Sequence, residues 1–158
     1  MLVVSDLHLE KGSSYAARGQ MLPPYDTRAT LQRIAALVDA LSPVTVISLG
    51  DSFHDRNARS RMAEDDIALV RAMTTGCDWV WIEGNHDPGP PEDLGGRTAH
   101  ELRMGALVFR HTPTPVHARG EIAGQWVGPE CLANGLTEAA ASTFEPFHAS
   151  RPSILTAI

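Results

Sequence analysis

The chain has 158 residues, 43% of them hydrophobic and 20% charged, and carries a formal net charge of −6 at pH 7. This length and composition are typical of one globular domain with a substantial core. The negative charge excludes the strongly basic surface through which many proteins bind nucleic acid, although bound divalent cations would offset part of it. Because the sequence shows no signal peptide or long apolar span, we expect a cytoplasmic protein with no membrane partner.

The first half of the chain predicts strands and helices in alternation. Short apolar runs are typical of strands buried on both faces, and they occupy residues 1–5, 44–49 and 78–83. Apolar periodicity or an acidic first turn predicts helices, at residues 27–41 and 63–75. Glycines, serines and prolines predict a long loop over residues 9–25. The β-α-β-α-β order predicts a parallel sheet with right-handed crossovers.

The second half is less regular. Prolines and glycines predict a loop over residues 88–96, and residues 97–110 fit either a helix or a hairpin. We favour the hairpin, because Met104-Gly105 suits a turn and the apolar run that follows it is β-like. Beyond residue 124 the pattern fades to a weak Ala-rich helix at 137–142. We therefore predict a domain over residues 1–124 and a weakly structured tail over residues 125–158.

Polar side chains follow the β-like runs, at the point where each run ends. They are a carboxylate and imidazole set with one amide oxygen, formed by Asp6, His8, Asp51, Asn85 and His111. Open α/β sheets place their sites at this edge of the sheet. Such a set suits Mn²⁺, Fe or Zn²⁺ and is too rich in oxygen for a structural zinc site. A carboxylate at Asp51 can bridge two metal ions about 3.5–4 Å apart, with a hydroxide between them.

The alternative is that each motif is a local turn. A lone Asp-x-His or a lone Gly-Asp at a strand end occurs often by chance and is then a cap or a turn. His111 taken by itself is about as often a surface histidine as a ligand. Three such motifs in this order, each after a β-run, favour a metal centre over that alternative.

Further candidates surround the ligand set. His86 is adjacent to Asn85, and its imidazole is free for acid–base work near its natural pKa. Asp87 is placed to orient that ring. Arg18 and Arg56 are candidates to bind the substrate phosphate, and His54 is a candidate substrate-binding residue or simply part of a loop.

The motifs resemble the calcineurin-like metallophosphoesterases. The resemblance rests on Ser5-Asp6-Leu7-His8, on Gly50-Asp51 and on Gly84-Asn85-His86-Asp87. The segments 6–12, 22–26 and 50–55 are similar, more narrowly, to the bacterial DNA-ligase-associated phosphoesterases. The resemblance covers residues 1 to about 124.

This resemblance implies an α/β/β/α sandwich, with a second sheet that we expect to be incomplete here, and a dinuclear site that hydrolyses phosphoesters. The implied ligands of the first metal are Asp6, His8 and Asp51, and those of the second are Asp51, Asn85 and His111. Manganese is the expected metal, with His86 protonating the leaving alkoxide. It also implies a phosphodiester or nucleic-acid substrate, a part in DNA repair, and a ligase or helicase partner.

One feature departs from the family pattern. The family ends its site with Gly-His-x-His, which supplies one further ligand to each metal, but Gln125-Trp126-Val127 follows Gly124 here in place of His-x-His. Two hypotheses follow: an active metal-dependent phosphodiesterase, or a catalytically impaired remnant that keeps the fold and at most one weakly bound metal.

Overall fold

The computed structural model describes residues 1–20, 25–87, 89, 92–105 and 107–112, and the backbone of 121–123 and 153–154. The strands are β1 Leu2–Val4, β2 Thr45–Ser48, β3 Asp78–Ile82, β4 Arg97–Ala99, β5 Leu102–Met104, β6 Leu107–Arg110, β7 Glu121–Ala123 and β8 Ser153–Ile154. The helices are α1 Lys11–Ala17, α2 Asp26–Leu41, α3 Ala58–Arg61 and α4 Glu64–Gly76, and a 3-10 turn spans Glu92–Leu94.

The larger sheet is parallel throughout and has the strand order β4-β3-β2-β1-β8. The side chains of each strand alternate between two hydrophobic cores, because successive side chains of a strand point to opposite faces of the sheet. Leu2 and Val4 pack with the apolar side chains of α2 and α4, whereas Val3 and Ile47 pack with Phe109 of the second sheet. The predicted α/β class and its parallel sheet are confirmed.

The second sheet is small, with the order β5-β6-β7 in the described part of the chain. The predicted hairpin is confirmed for β5 and β6, which are antiparallel and turn at Gly105, whose φ is +60°. It is wrong for residues 97–99, which form β4 and pair parallel with β3 in the larger sheet. Local sequence did not separate these three residues from the hairpin, because their partner strand lies in the other sheet.

Helix α1 lies inside the segment predicted to be a loop, so that prediction is wrong for Lys11–Ala17. Its sequence, KGSSYAA, has no apolar stripe from which a helix is predicted. Contacts with other elements hold it instead: the Gly12 N–H donates to Asp26 Oδ2 at 2.8 Å, and Gly12 and Ser14 are buried. The short helix α3 was also not predicted. The structure places the 3-10 turn in the predicted 88–96 loop.

Two short segments from the last part of the chain each add one strand to a sheet. Strand β7 pairs parallel with β6, and β8 pairs parallel with β1. The predicted helix at 137–142 lies outside the described residues, and the boundary at residue 124 stays a prediction. Among the described helices, none has the length and apolar character needed to cross a membrane.

Candidate metal centre

The loops that follow β1 and β2 run side by side and bring two ligand motifs together. The Asp6 N–H donates to the Gly50 carbonyl at 3.3 Å, and the His8 N–H donates to the Asp51 carbonyl at 2.9 Å. A further parallel bridge joins Leu9 to Phe53. The carboxyl ends of the two strands are thereby joined by backbone hydrogen bonds, and the side chains of these loops meet at one edge of the sheet.

Three of the predicted ligands have an unusual backbone. Asp6, His8 and Asp51 have φ values of 52°, 44° and 49°, in the left-handed region that side chains other than glycine rarely adopt. Such conformations persist only where the surroundings enforce them, and they concentrate at functional sites. The backbone hydrogen bonds between the two loops are the contacts that enforce them here.

Asp6, His8 and Asp51 form the first ligand group. Each offers one ligand atom, and these atoms all lie within 4.8 Å of one another. The Ser5 hydroxyl donates to Asp6 Oδ2 at 2.6 Å and fixes that carboxylate. Burial lowers the pKa of His8, against the opposing charges of Asp51 and Asp6, so its imidazole is neutral and able to ligate a cation. His8 Nδ1 is buried with no partner among the described residues.

His111, Asn85 and Asp51 form the second ligand group. His111 Nδ1 lies 2.8 Å from the Leu49 carbonyl, which can only accept, so this nitrogen carries a proton, and in the neutral ring Nε2 keeps a lone pair. That lone pair faces Asn85 Oδ1 at 2.7 Å and Asp51 Oδ1 at 3.6 Å. Three acceptors therefore converge. A cation satisfies them; the alternative is a turned Asn85 amide that donates to Asp51 and His111.

Two glycines make the close approach possible. A Cβ at Gly50 would lie 2.6 Å from the His111 ring. A Cβ at Gly84 would overlap the backbone nitrogen and Oδ1 of Asp51 and lie 2.6 Å from Asp87 Oδ1. The glycine in each of these two motifs is thus explained by packing around the ligands.

His86 lies at the open side of the centre. Its backbone N–H donates to Asp51 Oδ1 at 3.0 Å, and its Nε2 is 4.0 Å from Asp51 Oδ2. Half of its side chain is exposed, and its ring stacks on that of His54 at 6.1 Å. The ring is therefore accessible to a substrate that approaches the ligand groups.

Asp87 makes different contacts from those expected. Its Oδ2 accepts the Phe53 N–H at 3.0 Å, in the loop that follows Asp51. Burial raises the pKa of Asp87 to about 6, and the charge of Asp51 acts in the same direction, while backbone donors from residues 51–53 oppose it. The described hydrogen bond of its side chain goes to this loop, so we expect Asp87 to position the loop of Asp51.

The two arginines predicted to bind the substrate phosphate lie on the surface. Arg18 is exposed at the end of α1, and Arg56 is exposed beside a cleft of about 220 Å³ that Phe53 and Asp87 also line. The His54 ring lies beside the centre, and its centroid is 5.7 Å from that of the His8 ring and 5.7 Å from that of the Tyr15 ring.

Sequence reasoning missed Tyr15 and Arg61. Arg61 binds both oxygens of Asp55 at 2.9 Å and the Ser13 hydroxyl at 3.0 Å, which joins α1 to α3 and fixes the loop that carries His54. No motif marks these residues in the sequence, because the contacts of Arg61 with Ser13 and of Tyr15 with His54 join distant segments.

Comparison with known proteins bears on this geometry. Residues 1–148 match the family model described as calcineurin-like phosphoesterase, a match that runs beyond residue 124. The chain is similar to the crystal structure of Pseudomonas putida nuclease MPE, with 26% sequence identity and a TM-score of 0.55. The alignment covers 77% of this chain and 57% of that one, so the chain spans little more than half of the nuclease's length. No curated protein matches the chain.

Proposed function

The chain belongs to the calcineurin-like phosphoesterase family, and on that premise we propose that it hydrolyses phosphodiesters at a centre of two divalent metal ions. The observation that carries the proposal is the convergence of acceptors at Asp51. On one side Asp51 faces Asp6 and His8, and on the other it faces the lone pairs of Asn85 and His111. With Asn85 Oδ1 facing His111 Nε2, these acceptors lack donors for one another, and a cation between them would satisfy them.

The donor set supports the metal. Asp6, His8 and Asp51 would hold one ion, and Asp51, Asn85 and His111 the other. The mixture of carboxylate, imidazole and amide oxygen favours Mn²⁺, with Fe or Zn²⁺ as alternatives. Two such ions would generate a nucleophile from water at neutral pH and offset the charge of the phosphate.

The chain's own residues supply the rest of the reaction. His86 is half exposed beside Asp51, and we assign it the proton that the leaving oxygen receives. Asp87 holds the Asp51 loop in place through the Phe53 N–H. His54 stacks on His86 and would keep its ring oriented toward the substrate.

Two observations support nucleic acid as the substrate. The similar solved structure is that of a nuclease, and the His86 ring is half exposed at the open side of the centre. The resemblance of the segments 6–12, 22–26 and 50–55 to the DNA-ligase-associated group supports a role in DNA repair beside a ligase or helicase.

The second candidate is an impaired remnant of such an enzyme. It is favoured by Gln125 and Val127, which stand where the family pattern has two further imidazoles. The number of metal ions bound per chain after purification in Mn²⁺ separates the two candidates: two supports the enzyme, and one or none supports the remnant.

Asp51→Asn tests the proposal directly. Because Asp51 belongs to both ligand groups, we expect this change to remove bound metal and hydrolysis of bis(p-nitrophenyl) phosphate together. Asp39→Asn, an exposed carboxylate on α2, is the matched control and should keep both. Full metal occupancy in Asp51→Asn would contradict the assignment of the bridging ligand.

A further inference from the structure

A cleft of about 270 Å³ opens beside the second ligand group. Asn85 and His111 form part of its lining, so it is continuous with the proposed reaction centre. The remaining lining includes Glu83, His100 and Arg110, none of which the proposed reaction uses. The cleft therefore has room and charged groups that the reacting phosphate alone does not account for.

Arg110 contributes a positive charge to the lining of this cleft and belongs to an ion-pair network behind it. Arg110 Nη2 donates to Glu101 Oε2 at 2.8 Å, and Arg103 Nε donates to Glu101 Oε1 at 2.9 Å. Two guanidinium groups thus share one carboxylate, and the three side chains together carry a charge of +1. Arg110 lines the cleft, whereas Arg103 does not line it and its side chain is 68% exposed.

The lining also contains a second pair. His100 Nδ1 lies 3.4 Å from Glu83 Oε2, so the carboxylate of Glu83 has a partner when His100 is protonated. The His100 side chain is 89% exposed at the rim. Among the residues that line the cleft, Arg110 is the one with a permanent positive charge, and its planar fork matches the oxygens of a phosphate.

We propose that this cleft binds a second phosphate of a polyphosphodiester chain, with Arg110 as its anion-binding residue. The inference rests on the proposed function, since the first phosphate is the one cleaved at the metal centre. A single-stranded nucleic acid carries one negative charge per nucleotide, so a neighbouring phosphate always accompanies the one that reacts. A small phosphodiester has no such group. The cleft therefore selects a polynucleotide over a small diester.

Equilibrium binding tests the cleft without any hydrolysis. The probe is a fluorescein-labelled single-stranded dodecathymidylate, followed by fluorescence anisotropy with the full chain, in Ca²⁺ and separately in EDTA. We expect Arg110→Gln to weaken binding on the order of 10-fold, and to reduce the slope of log K against log salt by about one. Arg103→Gln, which loses a charge from the same Glu101, should change binding by less than about threefold.

A variant with the opposite expected effect on binding tests whether misfolding explains the loss. Glu101→Gln removes the shared carboxylate and should tighten binding of the same probe. The proposal is overturned if Arg110→Gln and Arg103→Gln weaken binding equally, if Arg110→Gln has no effect, or if the wild-type chain does not bind the probe.

Hydrolysis in Mn²⁺ separates this inference from the proposed function. For Arg110→Gln we expect the ratio of kcat/KM for the oligonucleotide to that for bis(p-nitrophenyl) phosphate to fall about 10-fold. An equal loss on both substrates would overturn the inference, because Arg110 would then act on the centre itself. If the wild-type chain cleaves neither substrate, the proposed function fails, and the anisotropy measurements still decide the cleft.

Discussion

Neighbouring residues of one tetrapeptide have different environments in this protein. In Gly84-Asn85-His86-Asp87, the glycine packs on Asp51, the asparagine faces His111, and the histidine ring is half exposed. The aspartate is buried and bonded to the Phe53 N–H. The turn after β3 directs each of these residues toward a different neighbour. Proximity in sequence therefore does not assign a shared role, and His86 and Asp87 need separate tests.

His86→Ala tests the role assigned to the exposed ring. The ring is outside both ligand groups, so we expect metal content to be retained while the rate falls on the order of 10²–10⁴-fold. The loss should be large for alkoxide leaving groups and small for leaving groups of low pKa, which need little protonation. A series of aryl and alkyl phosphodiesters measures this dependence. Equal losses across the series would exclude the general-acid role.

At the scale of elements, one carboxylate joins three segments of the helical layer. Asp93 in the 3-10 turn accepts hydrogen bonds from Arg59 of α3 and from Arg71 of α4, with the shortest distances 2.6 and 2.7 Å. The adjacent Leu94 is fully buried against the core that α4 covers. This network holds the segment after Asp87 against the helices, and its strength depends on the charge of Asp93.

We expect Asp93→Asn to lower the free energy of unfolding by an amount that depends on pH. The hydrogen bond from Arg59 lowers the pKa of Asp93 below its ordinary 3.8. A lowered carboxyl pKa stabilises the fold above the unfolded-state pKa, and this contribution is lost as the pH falls through the folded-state value. We expect the variant to be less stable at pH 7 by at most about 1 kcal/mol, since the pair is partly exposed. Urea unfolding should show this difference shrinking below pH 4; a difference that persists in acid would contradict the charge explanation.

At the scale of the whole molecule, the centre is formed where the two sheets meet. Asp6, Asp51 and Asn85 follow strands of the larger sheet, whereas His111 follows β6 of the smaller one. Phe109 of β6 is fully buried against Val3, Ile47 and other side chains of the larger sheet, which fixes the position of His111 two residues later. Packing between the sheets therefore controls the second ligand group, and metal binding and folding should be coupled.

Adding Mn²⁺ should raise the melting temperature. A ligand that binds only the folded state stabilises it by about 2.7 kcal/mol at 100 times its Kd. Because Gln125 and Val127 occupy the positions of two imidazoles in the family pattern, we expect weak binding, marginal stability without metal and slow hydrolysis. The rise should therefore need Mn²⁺ in large excess over the chain and should disappear in Asp51→Asn.

Thermal unfolding across a Mn²⁺ titration makes this measurement. Gln125→His combined with Val127→His should shift the titration to lower Mn²⁺ if residues 125–127 lie beside the centre. Saturation by two equivalents of Mn²⁺ in the unmodified chain, with ordinary turnover, would show that the chain supplies ligands absent from the set assigned here.

The sequence by itself determined the parallel strands β1 to β3, the helices α2 and α4, and the ligand motifs at the strand ends. These features depend on periodicity and on residue chemistry within short windows, so they are encoded locally. The apolar runs were long enough to predict buried strands, and the polar residues that follow each run indicated the edge at which the ligands lie.

Only the tertiary structure decided the remaining features. Helix α1 has no apolar stripe, and a contact with Asp26 from another segment supports it. Strand β4 separates from the hairpin that follows it, because its pairing partner is β3. The left-handed backbone of Asp6, His8 and Asp51 is enforced by hydrogen bonds between two loops more than 40 residues apart. Each of these depends on contacts between distant segments, which no local pattern records.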